Sequence, residues 1–237
     1  MADRKVICWD LDETLGSFRR IGDEMTGRKS SDIEEPIALR HGVKELLQEL
    51  VESGYTNFVT TSGTSDYAKE ALKRTGILPY FQEVFDREST KKRGLFSDGK
   101  NYTCVAKSVN FPDEMVSSNM IVIGDAPGDQ PIDLDSLVLI QHSQCMYHDA
   151  FVTKAILQRL LKEGNGDFYE GFIALCKKSR GKKAEYGERF THGTINLRNG
   201  IRFELEVWRN PVYRDRVTPV ITQIQADKYR RDMQTVP

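Results

Sequence analysis

The chain has 237 residues, of which 39% are hydrophobic and 29% are charged, and its formal net charge is −1. This length accommodates one α/β domain with a smaller extension. The near-neutral balance argues against a nucleic-acid or membrane partner at the level of bulk charge, although a local basic patch stays compatible with it. No apolar run approaches the roughly 20 residues that a membrane helix requires.

Four cysteines, Cys8, Cys104, Cys145 and Cys176, lie far apart in the chain and have none of the paired spacings of zinc or redox motifs. We expect free thiols in a reducing compartment. A candidate catalytic aspartate is already reached at Asp10, which leaves no room for a cleavable signal peptide before it. Both observations predict a cytoplasmic protein.

Hydrophobic patterns predict alternating strands and helices over most of the chain. The predicted strands are residues 5–9, 55–60, 81–85, 120–123 and 137–140; the predicted helices are residues 43–51, a segment capped by Thr64 or Ser65 and ended by Gly76, and residues 149–162. Residues 16–38 are polar and contain glycine, which predicts a loop or small flap. The alternation favours an α/β fold with a parallel sheet, helices on both faces, and ligands at the carboxyl ends of the strands.

The pattern changes after Gly164. Apolar residues at helical spacing predict a helix that includes Phe168 and Phe172, and a basic run over residues 177–183 follows. Residues 193–208, with Asn-Gly in the middle, predict a β-hairpin. We therefore expect two parts, residues 1–163 and an extension over residues 164–237 with a helix and a β-hairpin. The basic run is interpreted as a solvated loop rather than a polynucleotide site.

Two carboxylates, Asp10 and Asp12, follow the first predicted strand. Alternating strand geometry lets both point to one side of the backbone while Leu11 packs the other way. Phosphoryl transfer needs a nucleophile, a proton donor for the leaving group and positive charge near the phosphoryl oxygens. Asp10 could attack phosphorus and form an aspartyl-phosphate, and Asp12 could protonate the leaving oxygen and later activate water. Isolated pairs of aspartates also occur in solvated turns. Further motifs in the sequence are therefore needed to distinguish a catalytic pair from such a turn.

A second acidic motif, residues 124–129 with the sequence GDAPGD, directly follows the predicted strand 120–123. Mg²⁺ prefers octahedral oxygen ligands at about 2.1 Å. Asp10, the backbone carbonyl of Asp12, and Asp125 could supply the protein ligands. Asp129 would be a further ligand or would orient one. The sequence therefore predicts Mg²⁺ as the cofactor.

Residues 8–15, with the sequence CWDLDETL, resemble the first motif of the haloacid dehalogenase (HAD) superfamily, and residues 124–129 resemble its magnesium motif. Residues 59–62, with the sequence VTTS, resemble the motif that supplies a hydroxyl to the phosphoryl group. The resemblance covers about residues 3–160. It implies a Rossmann-like α/β core with small caps. Dehalogenases of this superfamily lack an acid at the position of Asp12 and ion-pumping ATPases carry threonine there, so a phosphatase is favoured.

The resemblance also implies roles for individual residues. The expected catalytic residues are Asp10, Asp12, Thr61 and Lys107; the expected metal site consists of Asp10, Asp12, Asp125 and Asp129; the expected substrate-binding residues are Thr14, Thr61, Ser62 and Lys107. Thr61 is favoured over Thr60 because residues 63–68 match the spacing to a tyrosine in related polymerase-tail phosphatases. Lys107 is the best-placed lysine between the motifs, and Lys91, Lys92 and Lys100 are the alternatives.

Residues 10–15, with the sequence DLDETL, resemble the corresponding motif of the phosphatases similar to NLI-interacting factor. Those phosphatases include enzymes that act on the RNA polymerase II tail. That resemblance implies a phosphorylated substrate, such as a phosphoserine protein. The short insertions at residues 16–38 and about 87–106 also favour a macromolecular substrate over one enclosed by a large lid. The alternatives are a polynucleotide 3′-phosphatase, a small-metabolite phosphatase and a non-catalytic binding module. The complete set of motif residues argues against the last of these.

Overall fold

The structure is a computed structural model that describes residues 4–28, 36–90, 99–141, 150–179, 184–186, 189–196, 202–209 and 216–224. The strands are β1 (Val6–Trp9), β2 (Gly16–Ser17), β3 (Ala38–Leu39), β4 (Thr56–Thr60), β5 (Glu83–Phe85), β6 (Met120–Gly124), β7 (Leu137–Ile140), β8 (Ala184–Tyr186), β9 (Arg189–Asn196), β10 (Arg202–Arg209) and β11 (Val217–Ile224). The helices are α1 (Arg19–Thr26), α2 (Val43–Glu52), α3 (Ser65–Arg74), α4 (Arg87–Thr90), α5 (Thr103–Ser108), α6 (Asp113–Asn119), α7 (Phe151–Glu163) and α8 (Phe168–Lys178). No helix in these ranges is long and apolar enough to cross a membrane.

Nine strands form one sheet in the order β5-β4-β1-β6-β7-β11-β10-β9-β8. The five strands from β5 to β7 are parallel, and β11 also pairs in parallel with β7. The remaining pairs, β11-β10, β10-β9 and β9-β8, are antiparallel. The predicted α/β class with a parallel sheet is therefore confirmed, and an antiparallel section continues the same sheet.

Strand β1 lies in the middle of the parallel section and is buried over its whole length. Its side chains alternate between two apolar cores, with Ile7 and Trp9 on one face and Val6 and Cys8 on the other. The first core is covered by residues of α1, α2, α3, α7 and α8, and the second by residues of α5 and α6. Helices on both faces are the reason why these short strands are apolar throughout rather than alternating.

The region between β1 and α2, predicted as a loop or a small flap, contains regular secondary structure. Its described part contains α1 and a two-stranded sheet formed by β2 and β3. Ile21 is the buried residue of α1, and most of its other side chains are partly or fully exposed. We call residues 16–28 and 36–39 the flap.

The predicted helix with Phe168 and Phe172 is α8, and the predicted hairpin corresponds to β9 and β10. Residues 197–201, which include the predicted turn, lie outside the described residues, as does most of the basic run. Strand β11 was not predicted from the sequence. Pro219 interrupts its apolar pattern, and a proline argues against a central strand because it has no N–H to donate. In the structure, parallel pairing with β7 begins at Val220, one residue later.

Because β11 lies between β7 and β10, the residues after 164 extend the main sheet. Phe203 and Leu205 of β10 share a core with Phe172 of α8, and Trp208 is buried on the opposite face. Both Phe203 and Trp208 are therefore core residues. The boundary between residues 163 and 164 stays a prediction.

Candidate active site

Three neighbouring parallel strands end in polar residues at one edge of the sheet. Asp10 follows β1, Thr61 follows β4, and Asp125 follows β6. The ladder continues one step beyond β1, since Asp10 N donates to Ile123 O at 2.8 Å. Likewise, Thr61 N donates to Phe85 O at 2.9 Å. The sheet therefore holds these residues at its carboxyl edge, where ligands of such folds bind.

A buried lysine connects the carboxylates at this edge. Lys100 Nζ lies 2.5 Å from Asp10 Oδ1, 2.7 Å from Asp129 Oδ1 and 3.0 Å from the carbonyl oxygen of Thr60. Lys100 is 8% exposed, and Asp10 and Asp129 are 7% and 5% exposed. This is a largely desolvated arrangement in which two carboxylates share one ammonium group.

The structure corrects the expected site lysine. Lys107 is exposed in the last turn of α5, whereas Lys100, one of the alternatives, reaches the carboxylates. The backbone explains this placement: Lys100 N donates to Gln130 O at 3.0 Å, and Ile132 N donates to Lys100 O at 3.1 Å. Spacing along the chain could not reveal this pairing between distant segments, although a glycine directly before Lys100 was an available signal.

Gly99 permits that pairing. A Cβ at Gly99 would lie 2.3 Å from Ile132 Cγ2 and 2.7 Å from Gln130 O, so a side chain there would push the two segments apart. The same segment is held again just beyond the lysine, where Asp133 accepts hydrogen bonds from the backbone N–H groups of Tyr102 and Thr103 at 2.9 and 2.8 Å. Lys100 is therefore presented by a fixed backbone.

Asp129 uses both carboxylate oxygens within the protein. Oδ1 accepts from Lys100, and Oδ2 accepts from the backbone N–H groups of Asp125 and Ala126, each at 3.1 Å. A Cβ at Gly124 would lie 2.2 Å from Asp129 Oδ2, so glycine is needed for this approach. Of the two roles expected for Asp129, orienting the loop of Asp125 is the one that these contacts support.

Asp12 occupies a separate environment from Asp10. Its carboxylate is partly buried and accepts a 2.5 Å hydrogen bond from the hydroxyl of Tyr67. Burial is the main cause that raises the pKa of Asp12, and the hydrogen bond from Tyr67 opposes the shift. The two aspartates of the first motif thus differ in their partners: a lysine for Asp10 and a neutral phenol for Asp12.

The threonine hydroxyl groups near the carboxylates point in different directions. Thr14 is fully buried, and its Oγ1 donates to Asp10 Oδ2 at 3.4 Å. Thr60 directs its hydroxyl into the sheet, toward Trp9 O at 3.4 Å, whereas Thr61 Oγ1 accepts from Gly63 N at 3.0 Å in the loop after β4. This arrangement supports Thr61 as the residue that offers a hydroxyl to a ligand. Ser62 is exposed.

Burial and a neighbouring carboxylate raise the proton affinity of Asp10 and Asp125. Burial, followed by the charge of Asp129, raises the pKa of Asp10 to about 8, although Lys100 acts in the opposite direction. Burial and Asp129 likewise raise the pKa of Asp125 to about 6. Burial opposes the charge on Lys100, but the charges of Asp10 and Asp129 outweigh it and raise the pKa of this lysine. The site therefore has an excess of negative charge that one lysine does not neutralise.

Asp10, Asp125 and Asp129 each offer one ligand atom, and these atoms lie within 4.8 Å of one another. The donors are hard carboxylate oxygens, which suit Mg²⁺. A divalent cation would also relieve the repulsion that raises the pKa values of Asp10 and Asp125. The residues present therefore fit the expected cation. The side chain of Asp12 does not join this cluster of acids, and its expected contribution through the backbone carbonyl stays a prediction.

Arg40 is a site residue that the sequence reasoning missed. It is 3% exposed, and its guanidinium donates to the carbonyl oxygens of Thr14 at 3.1 Å and Glu13 at 2.6 Å. Glu13 has a left-handed backbone (φ 61°), which is uncommon for a residue other than glycine. Arg40 thus stabilises the turn that follows Asp12. No local pattern distinguishes this arginine from a surface residue.

The central part of the chain matches a known protein family. Residues 23–131 match the family model of haloacid dehalogenase-like hydrolases, slightly less than half of the chain. The matched region contains Lys100, Asp125 and Asp129, and the structure places Asp10 directly beside them. The central part of the chain is therefore similar to haloacid dehalogenase-like hydrolases. The resemblance to the branch of NLI-interacting factor stays a prediction. No curated protein matches the chain.

Several solved structures are similar to parts of the chain. A HAD-superfamily hydrolase from Ehrlichia chaffeensis has 14% identity and a TM-score of 0.45, with 68% of this chain and 99% of that chain covered. A predicted phosphoglycolate phosphatase from Haemophilus somnus has 14% identity and a TM-score of 0.40, with 60% and 86% covered. A phosphoserine phosphatase has 15% identity and a TM-score of 0.36, with 65% and 98% covered. At these scores the likeness is weak, and the fold assignment depends on the strand order and the family match.

Proposed function

We propose that the protein is a magnesium-dependent phosphatase that hydrolyses phosphomonoesters through an aspartyl-phosphate on Asp10. The observation that carries the proposal is the contrast between two carboxylates two residues apart. Asp10 lies beside a buried lysine and two further aspartates, whereas Asp12 is held by a tyrosine hydroxyl outside that cluster. Different environments suit different roles, here a nucleophile and a proton donor.

In the first step, a carboxylate oxygen of Asp10 attacks phosphorus while the bond between phosphorus and the leaving oxygen breaks. Asp12 donates its proton to that leaving oxygen. Water then attacks the aspartyl-phosphate and gives a proton to Asp12, which releases phosphate and regenerates both carboxyl groups. Lys100 supplies positive charge beside the reacting oxygen of Asp10, and Thr61 offers a hydroxyl to the phosphoryl group.

Asp10 and Asp125 would hold the Mg²⁺ ion, and Asp129 would keep Asp125 in place through its backbone. When bound, the ion would neutralise phosphoryl oxygens as negative charge shifts during transfer. The protein side of this arrangement consists of the carboxylates and the lysine, which the strand ends and the pairing of Lys100 with residues 130–132 hold in place.

The test is the substitution Asp10→Asn, measured on p-nitrophenyl phosphate with Mg²⁺ present. We expect kcat to fall by about 10⁴-fold or more, because an amide does not form the intermediate. The matched control is Asp135→Asn, which makes the same chemical change at a carboxylate whose side chain is 65% exposed, and it should retain full activity. Chelation of Mg²⁺ should abolish turnover in both the native protein and the control. Persistent activity in purified Asp10→Asn protein would overturn the proposal.

We further propose a macromolecular substrate, with a phosphoserine protein as the expected class. The support is the small size of the flap, whose one helix is α1 in its described part. Rates on a phosphoserine peptide, a 3′-phosphorylated oligonucleotide and a sugar phosphate would separate the three substrate classes. A kcat/KM that is highest for the sugar phosphate would contradict a macromolecular substrate.

A further inference from the structure

The hydrogen bond between Tyr67 and Asp12 connects the proposed proton donor to a different helix. Tyr67 lies in α3, and its hydroxyl donates to Asp12 Oδ1 at 2.5 Å. The contact joins residues that are far apart in the sequence, so it is a product of the fold. It also acts on one of the two oxygens of the carboxyl group and leaves Oδ2 for other partners.

The start of α3 determines where Tyr67 points. Thr64 caps this helix, and its Oγ1 accepts a hydrogen bond from Tyr67 N at 3.4 Å. The preceding Gly63 allows the ring to lie close to the loop, because a Cβ there would be 2.8 Å from Tyr67 Cδ1. The motif loop after β4 and the ring of Tyr67 are therefore packed as one unit.

The flap lies against the other part of the same ring. A Cβ at Gly22 of α1 would be 3.4 Å from Tyr67 Cε2, an ordinary van der Waals distance, so this helix is the neighbour of that side of the ring. An ion pair between Arg74 and Glu24, with 2.5 Å between Nη1 and Oε2, joins α3 to α1. The loop after β4 therefore contacts one side of the Tyr67 ring, and the flap contacts the other side.

We propose that Tyr67 is a positioning residue that orients the carboxyl group of Asp12 for proton donation to the leaving group. The proposal rests on the proposed phosphatase activity and adds a residue to it. With Oδ1 bound to the phenol, the rotation of the Asp12 carboxyl group is restricted and Oδ2 carries the proton that is transferred. Tyr67 keeps its own proton throughout: burial, together with the neighbouring Asp12, raises its pKa above the ordinary value.

The substitution Tyr67→Phe tests this role, since it removes the hydroxyl and keeps the ring that packs against the loop and the flap. The readout is kcat/KM for a series of aryl phosphates, which reports the step in which the leaving group departs. Phenolate is a poorer leaving group than p-nitrophenolate and depends more on protonation. We expect kcat/KM to fall about 10-fold or more for phenyl phosphate and by about threefold or less for p-nitrophenyl phosphate.

The matched control is Tyr169→Phe, which removes the hydroxyl of a tyrosine that is 39% exposed on α8 and should change neither value. Asp12→Asn serves as the reference and should show the same dependence on the leaving group with a larger loss. An equal loss on both substrates, or no loss on either, would overturn the role of Tyr67 while leaving the phosphatase intact. Activity that survives Asp10→Asn would instead overturn the proposed function, and the role of Tyr67 with it.

Discussion

The parallel and antiparallel sections of the sheet differ in where their strands end. In the parallel section, from β5 to β7, every carboxyl end lies at the same edge, and this edge collects Asp10, Thr61 and Asp125. In the antiparallel section, from β11 to β8, successive strand ends alternate between opposite edges. Polar residues at strand ends therefore converge in the first section and separate in the second. Strand direction is what concentrates the chemistry.

The two sections also use buried polar groups differently. The parallel section buries Asp10, Asp129 and Lys100 as a cluster with excess negative charge, an arrangement that costs stability and suits a cation. In the antiparallel section, Glu206 is 7% exposed and accepts a 2.6 Å hydrogen bond from Thr222 on the neighbouring strand. We infer that the first section carries the reaction and that the second mainly adds stability.

The largest expected effect concerns the two lysines. Lys100→Ala should lower kcat/KM on p-nitrophenyl phosphate by about 10³-fold, because a buried positive charge beside the nucleophile is lost. Lys107→Ala is the control, since it removes the same group from an exposed position, and it should stay within about twofold of the native value. Comparable losses in the two variants would mean that Lys100 has no special role beside Asp10 at the carboxyl ends of the parallel strands.

A core substitution in the antiparallel section should affect stability alone. Phe203→Ala should lower the free energy of unfolding by about 3–4 kcal/mol, because this ring is 1% exposed in the core beneath α8. Urea unfolding measures this change, and Val217→Ala, at a position that is 52% exposed, is the control with an expected change below about 0.5 kcal/mol. Activity of the folded Phe203→Ala protein should be unchanged. A tenfold loss of kcat would show that the antiparallel section contributes to catalysis.

The burial of the carboxylates in the parallel section, together with their excess negative charge, predicts a pH dependence without metal. The pKa of Asp10 is raised to about 8 and that of Asp125 to about 6, so the folded state binds protons more tightly than the unfolded state. Their contribution to stability is complete below about pH 4 and is lost as the pH rises through these folded-state pKa values. With a chelator present, the free energy of unfolding should fall by about 4–5 kcal/mol between pH 5 and pH 8.

Mg²⁺ should restore most of that loss, and Asp10→Asn protein should show a smaller decrease over the same range. The measurement is urea unfolding at several pH values, with and without the ion. Stability that is constant or rises from pH 5 to pH 8 in the chelated native protein would contradict the description of a cluster under charge repulsion.

The smallest expected effect concerns the buried carboxyl group of the antiparallel section. Thr222→Val preserves the shape of the side chain and removes the donor to Glu206, which should lower the free energy of unfolding by about 1–2 kcal/mol. The activity should not change, whereas substitutions of the carboxylates at the ends of the parallel strands should lower it. If stability is also unchanged, this hydrogen bond does not contribute to the antiparallel section.

The sequence was informative wherever its signals were local. Short apolar runs followed directly by Asp10, Thr61 or Asp125 predicted both the strands and the residues at their ends, because burial on both faces makes such strands apolar throughout. The helix α3 was predicted with Thr64 as one of two candidate caps, and its capping hydrogen bond is present. Strand β11 was not predicted because Pro219 breaks the local apolar pattern. Its place in the sheet depends on pairing with strands that are distant in the sequence.

The alternation of apolar strands and helices along the chain was thus sufficient to predict an α/β fold. The acidic residues directly after the first predicted strand were sufficient to predict a carboxylate site at the end of β1. Tertiary structure alone decided that Lys100 rather than Lys107 reaches Asp10, that Tyr67 holds Asp12, and that Arg40 supports the turn that follows Asp12. The physical reason is that each of these contacts joins segments separated by tens of residues. Backbone pairing and close packing at glycines bring them together, and neither leaves a periodic signal in the sequence.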